Sequence, residues 1–231
     1  LHPGRELPSD ADTRAVALRL YAEVKDLPII SPHGHTDPSW FAGDEAFANP
    51  AELLITPDHY VFRMLHSQGM AMEDLGVPRA DGGPVEADPR RIWRRFAENY
   101  HLFRGTPSRL WHDWVYAEAF GIDVRLSAET ADHYYDVIDA ALKSDAFRPR
   151  ALFDRYNIEV LNIQAVGDDT VGISPTNFSV VRVKRDVLRR SAVGSKPMRR
   201  RPGYSTRLLN GMISMTSAGL SACIWPASLS R

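Results

Sequence analysis

The sequence predicts an α/β protein: a (β/α)₈-type barrel present in part and interrupted by helices after its first strand. Three observations predict it. The apolar run Leu27-Pro28-Ile29-Ile30 reads as a short buried strand and leads straight into His33-Gly34-His35. About 110 residues of helical pattern follow. A short helix over Arg150–Tyr156 then precedes a second apolar run, Ile158–Ile163, which reads as another strand. Most of the chain is therefore expected to be α-helical.

The elements follow from local chemistry. A first helix is expected from about Thr13 to Val24, with Val16, Leu20 and Val24 on one face, Ala17 and Tyr21 beside it, and Asp10 or Asp12 as cap. Ser31-Pro32 ends the first strand. Asn49-Pro50, Asp88-Pro89 and Thr106-Pro107 each place a capping residue before a proline at the first helical position. Gly69, Gly105 and Gly121 stand where helices should end. Ser127 is expected to cap a helix to about Lys143 with Tyr134, Ile138 and Leu142 inward, and Pro78–Pro84 reads as an exposed loop. The organisation is then 1–48 with the first strand, 49–148 as a helical insertion, 149–163 as helix and second strand, and 164–231 as an irregular basic tail. Val180–Val183 is the one strand candidate there.

Composition excludes some classes. Hydrophobic residues make up 44% and charged residues 25%, as in ordinary globular proteins. No apolar run approaches the roughly 20 residues that span a bilayer, and no secretory leader is visible. A membrane partner is not expected. Cys223 is the single cysteine, so an internal disulfide is impossible and a cytoplasmic location is the default. It has no nearby histidine and is not read as a nucleophile. Formal net charge is −1, yet residues 1–170 carry 17 Lys+Arg against 28 Asp+Glu, while residues 171–231 carry 11 against Asp186 alone. Arg199-Arg200-Arg201 lacks aromatic interleaving or a nucleic-acid motif, so no nucleic-acid partner is expected.

The chemistry concentrates early. In an extended segment residues i and i+2 point the same way, so His33 and His35 can face one metal ion, and strand C-termini are where barrel enzymes keep their sites. Loop histidines bonded to backbone are the alternative. Asp37 either orients one imidazole or caps the next segment. Asp58-His59-Tyr60 opens a helix to Gln68; it is either a plain cap with a core tyrosine or a proton-transfer cluster near an anion. Trp93, Phe96, Tyr100, Leu110, Trp111, Trp114, Val115 and Phe120 fall at helical spacings and read as core. Arg90, Arg91, Arg94 and Arg95 read as the solvated face of one helix.

Several stretches in order are similar to the N-terminal part of the uronate (glucuronate) isomerase family of the amidohydrolase superfamily. They are Leu27–Pro38 with its His-x-His, Asp58-His59-Tyr60 with Arg63, Gly105-Thr106-Pro107, Phe120-Gly121-Ile122, and Leu152-Phe153 with Asn157–Leu161. The resemblance covers residues 1–161. It implies a distorted (β/α)₈ barrel with a helical insertion after strand one, and interconversion of D-glucuronate with D-fructuronate and of D-galacturonate with D-tagaturonate. It also implies a divalent metal, usually zinc, on His33 and His35, and a small-molecule hexuronate substrate near His59 and Tyr60, with Arg63 beside its carboxylate. Oligomeric state, including a homo-oligomer, is left open.

The chain departs from the family after Leu161, where Asn162-Ile163-Gln164 replaces a strand end bearing threonine and aspartate. The last glutamate, Glu159, precedes the same point. Family enzymes are about twice as long and bring a further aspartate ligand and arginine from late strands. The expectation is a truncated, inactive chain whose residues from about Asn162 are read in a shifted frame. The gene's other two frames would test that. A metal-dependent hydrolase of the same superfamily and a non-catalytic remnant are the rival readings.

Overall fold

Proline with a capping residue before it starts four helices as the sequence predicts such starts. Asp37, Asn49, Asp88 and Thr106 accept hydrogen bonds from the backbone N–H groups of Ser39 (2.8 Å), Glu52 (2.9 Å), Arg90 (2.9 Å) and Arg109 (3.2 Å). The computed structural model describes residues 5–32, 34, 36–166 and 178–185, with 163–166 and 178–183 described as backbone strand only. In chain order the elements are α1 Ala11–Val24, β1 Ile29–Ser31, α2 Pro38–Gly43, α3 Pro50–Leu54, α4 His59–Ser67, α5 Pro89–Glu98, α6 Pro107–Trp114, α7 Ala131–Leu142, α8 Pro149–Arg155, β2 Ile158–Val166 and β3 Phe178–Lys184. Gly69, Gly105 and Gly121 carry φ of +95°, +77° and +69° at segment ends, with open space around each. Their role is the left-handed backbone, not close packing.

The sheet has the order β1-β2-β3. β1 and β2 are parallel, with Ile29 opposite Ile158 and Ser31 opposite Leu161, so everything from α2 to α8 is the crossover between them. β3 lies antiparallel on the other side of β2, pairing Lys184 with Val160 and Phe178 with Val166. The strand expected at Val180–Val183 is thus present and longer. β2 itself runs three residues beyond the expected boundary at Ile163, so the span from 164 is not wholly irregular.

The core is the helical crossover. Trp93, Phe96, Tyr100, Phe103 and Tyr116 are buried, and Trp93 Nε1 donates to the Ala131 carbonyl at 2.9 Å. Of the expected core residues, Leu110 and Phe120 are only half-buried. The α5 arginines are more than a solvated face. Arg94 forms two bonds of 2.9 Å to Asp132 of α7, Arg90 reaches Asp136, and Arg95 and Arg91 both reach Glu86. Such exposed pairs stabilise by below about 1 kcal/mol each but set the register of α5 on α7.

Three local expectations fail. The first strand, expected as a buried run from Leu27 to Ile30, is Ile29–Ser31, with Leu27 and Ile30 exposed and Ser31 buried. The α7 helix begins after Thr130, because Ser127 spends its hydroxyl on Glu129 and its N–H on the Thr130 hydroxyl. The expected inner stripe Tyr134, Ile138 and Leu142 is nonetheless buried. Val16, Leu20 and Val24 of α1, read as one apolar face, point outward. The half-buried positions are Arg14, Ala17, Tyr21 and Lys25 instead.

One histidine that the sequence does not flag lies in the core. His112 is fully buried, Nδ1 2.8 Å from the Ser108 carbonyl, among the rings of Phe96, Trp111 and Tyr116. Burial pulls its pKa from 6.5 down to about 4. Below pH 6.5 the unfolded chain takes up a proton that the folded one refuses until about pH 4. Stability is therefore complete above that window and lost as pH falls through it, by up to about 3 kcal/mol. Denaturant midpoints near pH 7.5 and near pH 4.5 check this. An equal fall in His112→Phe would assign the loss to other groups.

Candidate active site

The first half of the site sits at the end of β1. Ser31 is fully buried and Gly34 is buried as well. A Cβ on Gly34 would stand 3.3 Å from Leu161 Cδ1 and 3.5 Å from the Asn162 carbonyl oxygen. The backbone between His33 and His35 thus presses against β2 one residue past the paired Leu161. β1 ends at this point, beside the middle of β2, and the C-terminal ends of parallel strands are where such sheets bind ligands. His33 and His35 themselves lie outside the described residues. Asp37, two residues on, is resolved as the α2 cap.

The second half is the first turn of α4. Asp58 is its cap: the side chain is buried and accepts from the backbone N–H groups of Tyr60 (2.8 Å) and Val61 (3.3 Å). His59, Tyr60 and Arg63 fall at i, i+1 and i+4 and so share one side of the helix. The His59 and Tyr60 rings are 4.2 Å apart between centroids. Tyr60 is 51% exposed, which excludes the core-tyrosine reading, and Arg63 is exposed too. Partial burial, then the positive charge of Arg63, lowers the His59 pKa. A neutral imidazole, a phenol and a guanidinium therefore share an open surface. That set can exchange protons and hold a carboxylate.

Among the described residues no three His, Cys, Asp or Glu side chains gather as a metal-binding group. A cavity of about 80 Å³ lies between β2 and the helices, walled by Trp40, Phe41, Leu54, Trp111, Phe153 and Leu161. Its lining is apolar apart from Thr36 and Tyr156, so it does not suit a charged, hydroxyl-rich ligand. No helix among the described residues is long and apolar enough to cross a membrane.

Comparison with known proteins meets the same residues. The family model for glucuronate isomerase matches residues 11–172. A uronate isomerase of Sphingopyxis alaskensis is 65% identical over 161 residues, 70% of this chain and 33% of that protein. One from Rhizobium meliloti is 58% identical over 172 residues, 74% of this chain and 37% of the relative. Among solved structures, glucuronate isomerase from Caulobacter crescentus superposes with a TM-score of 0.67 at 56% identity, covering 70% of this chain and 33% of its own. Uronate isomerase from Thermotoga maritima gives 0.54 at 27%, covering 63% and 30%. The chain spans about a third of the length of these relatives. One continuous match thus contains the His33-Gly34-His35 turn, the α4 cluster and the parallel strand pair, and by it the chain belongs to the glucuronate isomerase family.

Proposed function

We propose that this chain carries the N-terminal third of an aldose–ketose isomerase of hexuronates, built on a (β/α)₈ barrel of the amidohydrolase superfamily. Its reaction in this reading interconverts D-glucuronate with D-fructuronate and D-galacturonate with D-tagaturonate. The observation that carries it is the single match over residues 11–172, which takes in both the His-x-His turn and the helix of His59, Tyr60 and Arg63. The seating of Gly34 against β2 supports a site at the end of β1.

The donor chemistry of His33 and His35 suits a divalent metal, zinc in this reading, as two of its ligands. A catalytic zinc takes three protein ligands, so another must come from elsewhere in the polypeptide. When bound, such an ion polarises a carbonyl or hydroxyl oxygen of the substrate. The remaining work falls to the side chains. Isomerisation moves a proton between C2 and C1 while a carbonyl and a hydroxyl exchange places. Tyr60 or the neutral His59 carries the oxygen-bound protons, since both stand at the open face of α4. Arg63, one turn along, offers a two-pronged donor to the uronate carboxylate.

The test joins residues 1–161 to the remaining two-thirds of the Sphingopyxis alaskensis relative. This chimera should isomerise glucuronate, and the 231-residue chain alone should not, because among the described residues its sheet holds a single parallel pair. Tyr60→Phe in the chimera should lower turnover by about 10²-fold or more without moving the melting temperature, since the phenol is half exposed. Normal turnover in Tyr60→Phe removes the proton-transfer role. A chimera that folds and leaves uronates untouched removes the reading as a whole.

A further inference from the structure

We propose that Arg150 and Asp44 are positioning residues for the metal: together they clasp α2 to α8 and so hold the His33-Gly34-His35 turn at the end of β1. The inference deepens the proposed function and rests on the reading of His33 and His35 as ligands. α2 begins three residues after His35 and is six residues long, too short to persist without outside support. The last carbonyls of such a helix have no partner within it. Here Arg150 Nε donates to the Phe41 carbonyl at 2.9 Å, and its Nη2 donates to the Ala42 carbonyl at 3.1 Å. One planar guanidinium thus serves two adjacent carbonyls at the negative end of α2.

The grip is reciprocal. Arg148, at the cap position of α8, makes no side-chain cap bond. Asp44 supplies one from 106 residues away, its Oδ1 accepting the backbone N–H of Arg150 at 2.9 Å. It does so from a left-handed backbone, φ +57°, and its own carbonyl accepts from Arg148 Nη1 at 3.2 Å. Phe41 of α2 meets Phe153 of α8 edge to face, 5.6 Å between ring centroids.

The far end of α8 returns to β1. Asn157, two residues past α8, gives its carbonyl to the Ile29 N–H at 2.9 Å, where β1 begins. Residues 29–44 and 150–157 therefore form a ring closed by hydrogen bonds at both ends, and the His-x-His turn lies on its covalent path. The Arg150–Asp44 clasp stands outside α5, α6 and α7, so loosening it frees α2 and leaves those helices in place. Groups that orient a ligand from outside its coordination shell cost about 10- to 100-fold in metal affinity when lost.

The experiment has two arms. In the 231-residue chain, Arg150→Met keeps the stem and removes every side-chain donor. Amide exchange over residues 36–43 should quicken by about tenfold or more, while exchange over α5 and α7 stays as in the parent. In the chimera of residues 1–161 with the Sphingopyxis alaskensis remainder, zinc affinity is measured by chelator competition and turnover is not read. Arg150→Met and Asp44→Ala should each weaken zinc by about tenfold or more. Arg150→Lys should not restore it, because a point-like ammonium lacks the planar fork. Asp44→Asn should bind within about twofold of the parent, since asparagine keeps the acceptor oxygen and tolerates the left-handed backbone. Ile138→Val, in the buried stripe of α7, should lower the melting temperature without moving zinc affinity. Zinc held as tightly in Arg150→Met as in the parent overturns the proposal. Unchanged exchange over α2, or an equal weakening of zinc in Ile138→Val, overturns it as well. A parent chimera that holds no zinc fails earlier, at the ligand reading itself, and takes this role with it.

Discussion

Trp93→Ala should cost about 4 kcal/mol of stability, the largest loss expected from any single truncation in this chain. Trp93 is fully buried on α5 and packs against a ring of its own helix, one of the segment after α6 and one of α7. Its ring lies 5.6 Å from Phe96, 6.1 Å from Tyr116 and 6.4 Å from Tyr135, measured between centroids. Removing it empties the centre of the helical crossover, and the cavity adds to the lost transfer energy because surrounding rings cannot close in. The indole N–H also donates to the Ala131 carbonyl at the start of α7, and truncation loses that bond, worth about 1 kcal/mol. Domains of this kind hold only about 5–15 kcal/mol in total. Trp93→Phe keeps one aromatic ring and loses the bond with part of the packing, so it should cost less than Trp93→Ala. Urea midpoints followed by far-ultraviolet circular dichroism give both numbers. A Trp93→Ala midpoint within about 1 kcal/mol of the parent would place the core elsewhere.

What the sequence discloses and what it hides divide along the range of the interactions. Asn49, Asp88 and Thr106 are readable as caps because the groups they satisfy lie within three residues, and the following proline fixes the backbone entering the helix. The buried stripe Tyr134, Ile138 and Leu142 is readable because 3.6-residue periodicity is local. The same periodicity misleads at α1. It reports that Val16, Leu20 and Val24 share a side, but not whether anything in this chain covers that side. At Ser127 two capping hydroxyls stand three residues apart, and the choice between them depends on Glu129 and the Arg125 carbonyl, which occupy Ser127 and Thr130 in turn. The α5 arginines look solvated until α7 brings Asp132 and Asp136 beside them, about 40 residues away. The antiparallel sense of β3 is likewise a tertiary fact. Its apolar alternation marks a strand but carries no direction.

The candidate site shows the same division. His59, Tyr60 and Arg63 are gathered by helix geometry, which five residues of sequence suffice to show. That Asp58 is committed to backbone N–H groups, leaving the imidazole, phenol and guanidinium as the reactive set, required the structure. His112 gave no signal at all. A histidine in an aromatic run reads as surface or core alike, and only its burial among Phe96, Trp111 and Tyr116 decides.

His33→Ala and His35→Ala in the chimera should each release the metal and abolish most turnover. Ser31 is buried in β1, and a Cβ built on Gly34 would stand 3.3 Å from Leu161, so these two residues hold close to the sheet. Loss of a partner that merely orients a ligand costs about 10- to 100-fold in metal affinity or activity. Loss of a ligand itself should exceed the upper end of that range. Metal content by mass spectrometry should fall from about one ion per chain towards zero in either variant, and added zinc should restore little. The melting temperature of the helical crossover should move much less than in Trp93→Ala, because its core lies in α5, α6 and α7 and not in the turn after β1. Gly34→Ala is the useful companion. It keeps both imidazoles and displaces the backbone by the few tenths of an ångström that Leu161 demands, so it should weaken the metal without abolishing it. Full metal content in both histidine variants would end the ligand assignment, whatever turnover the chimera retained.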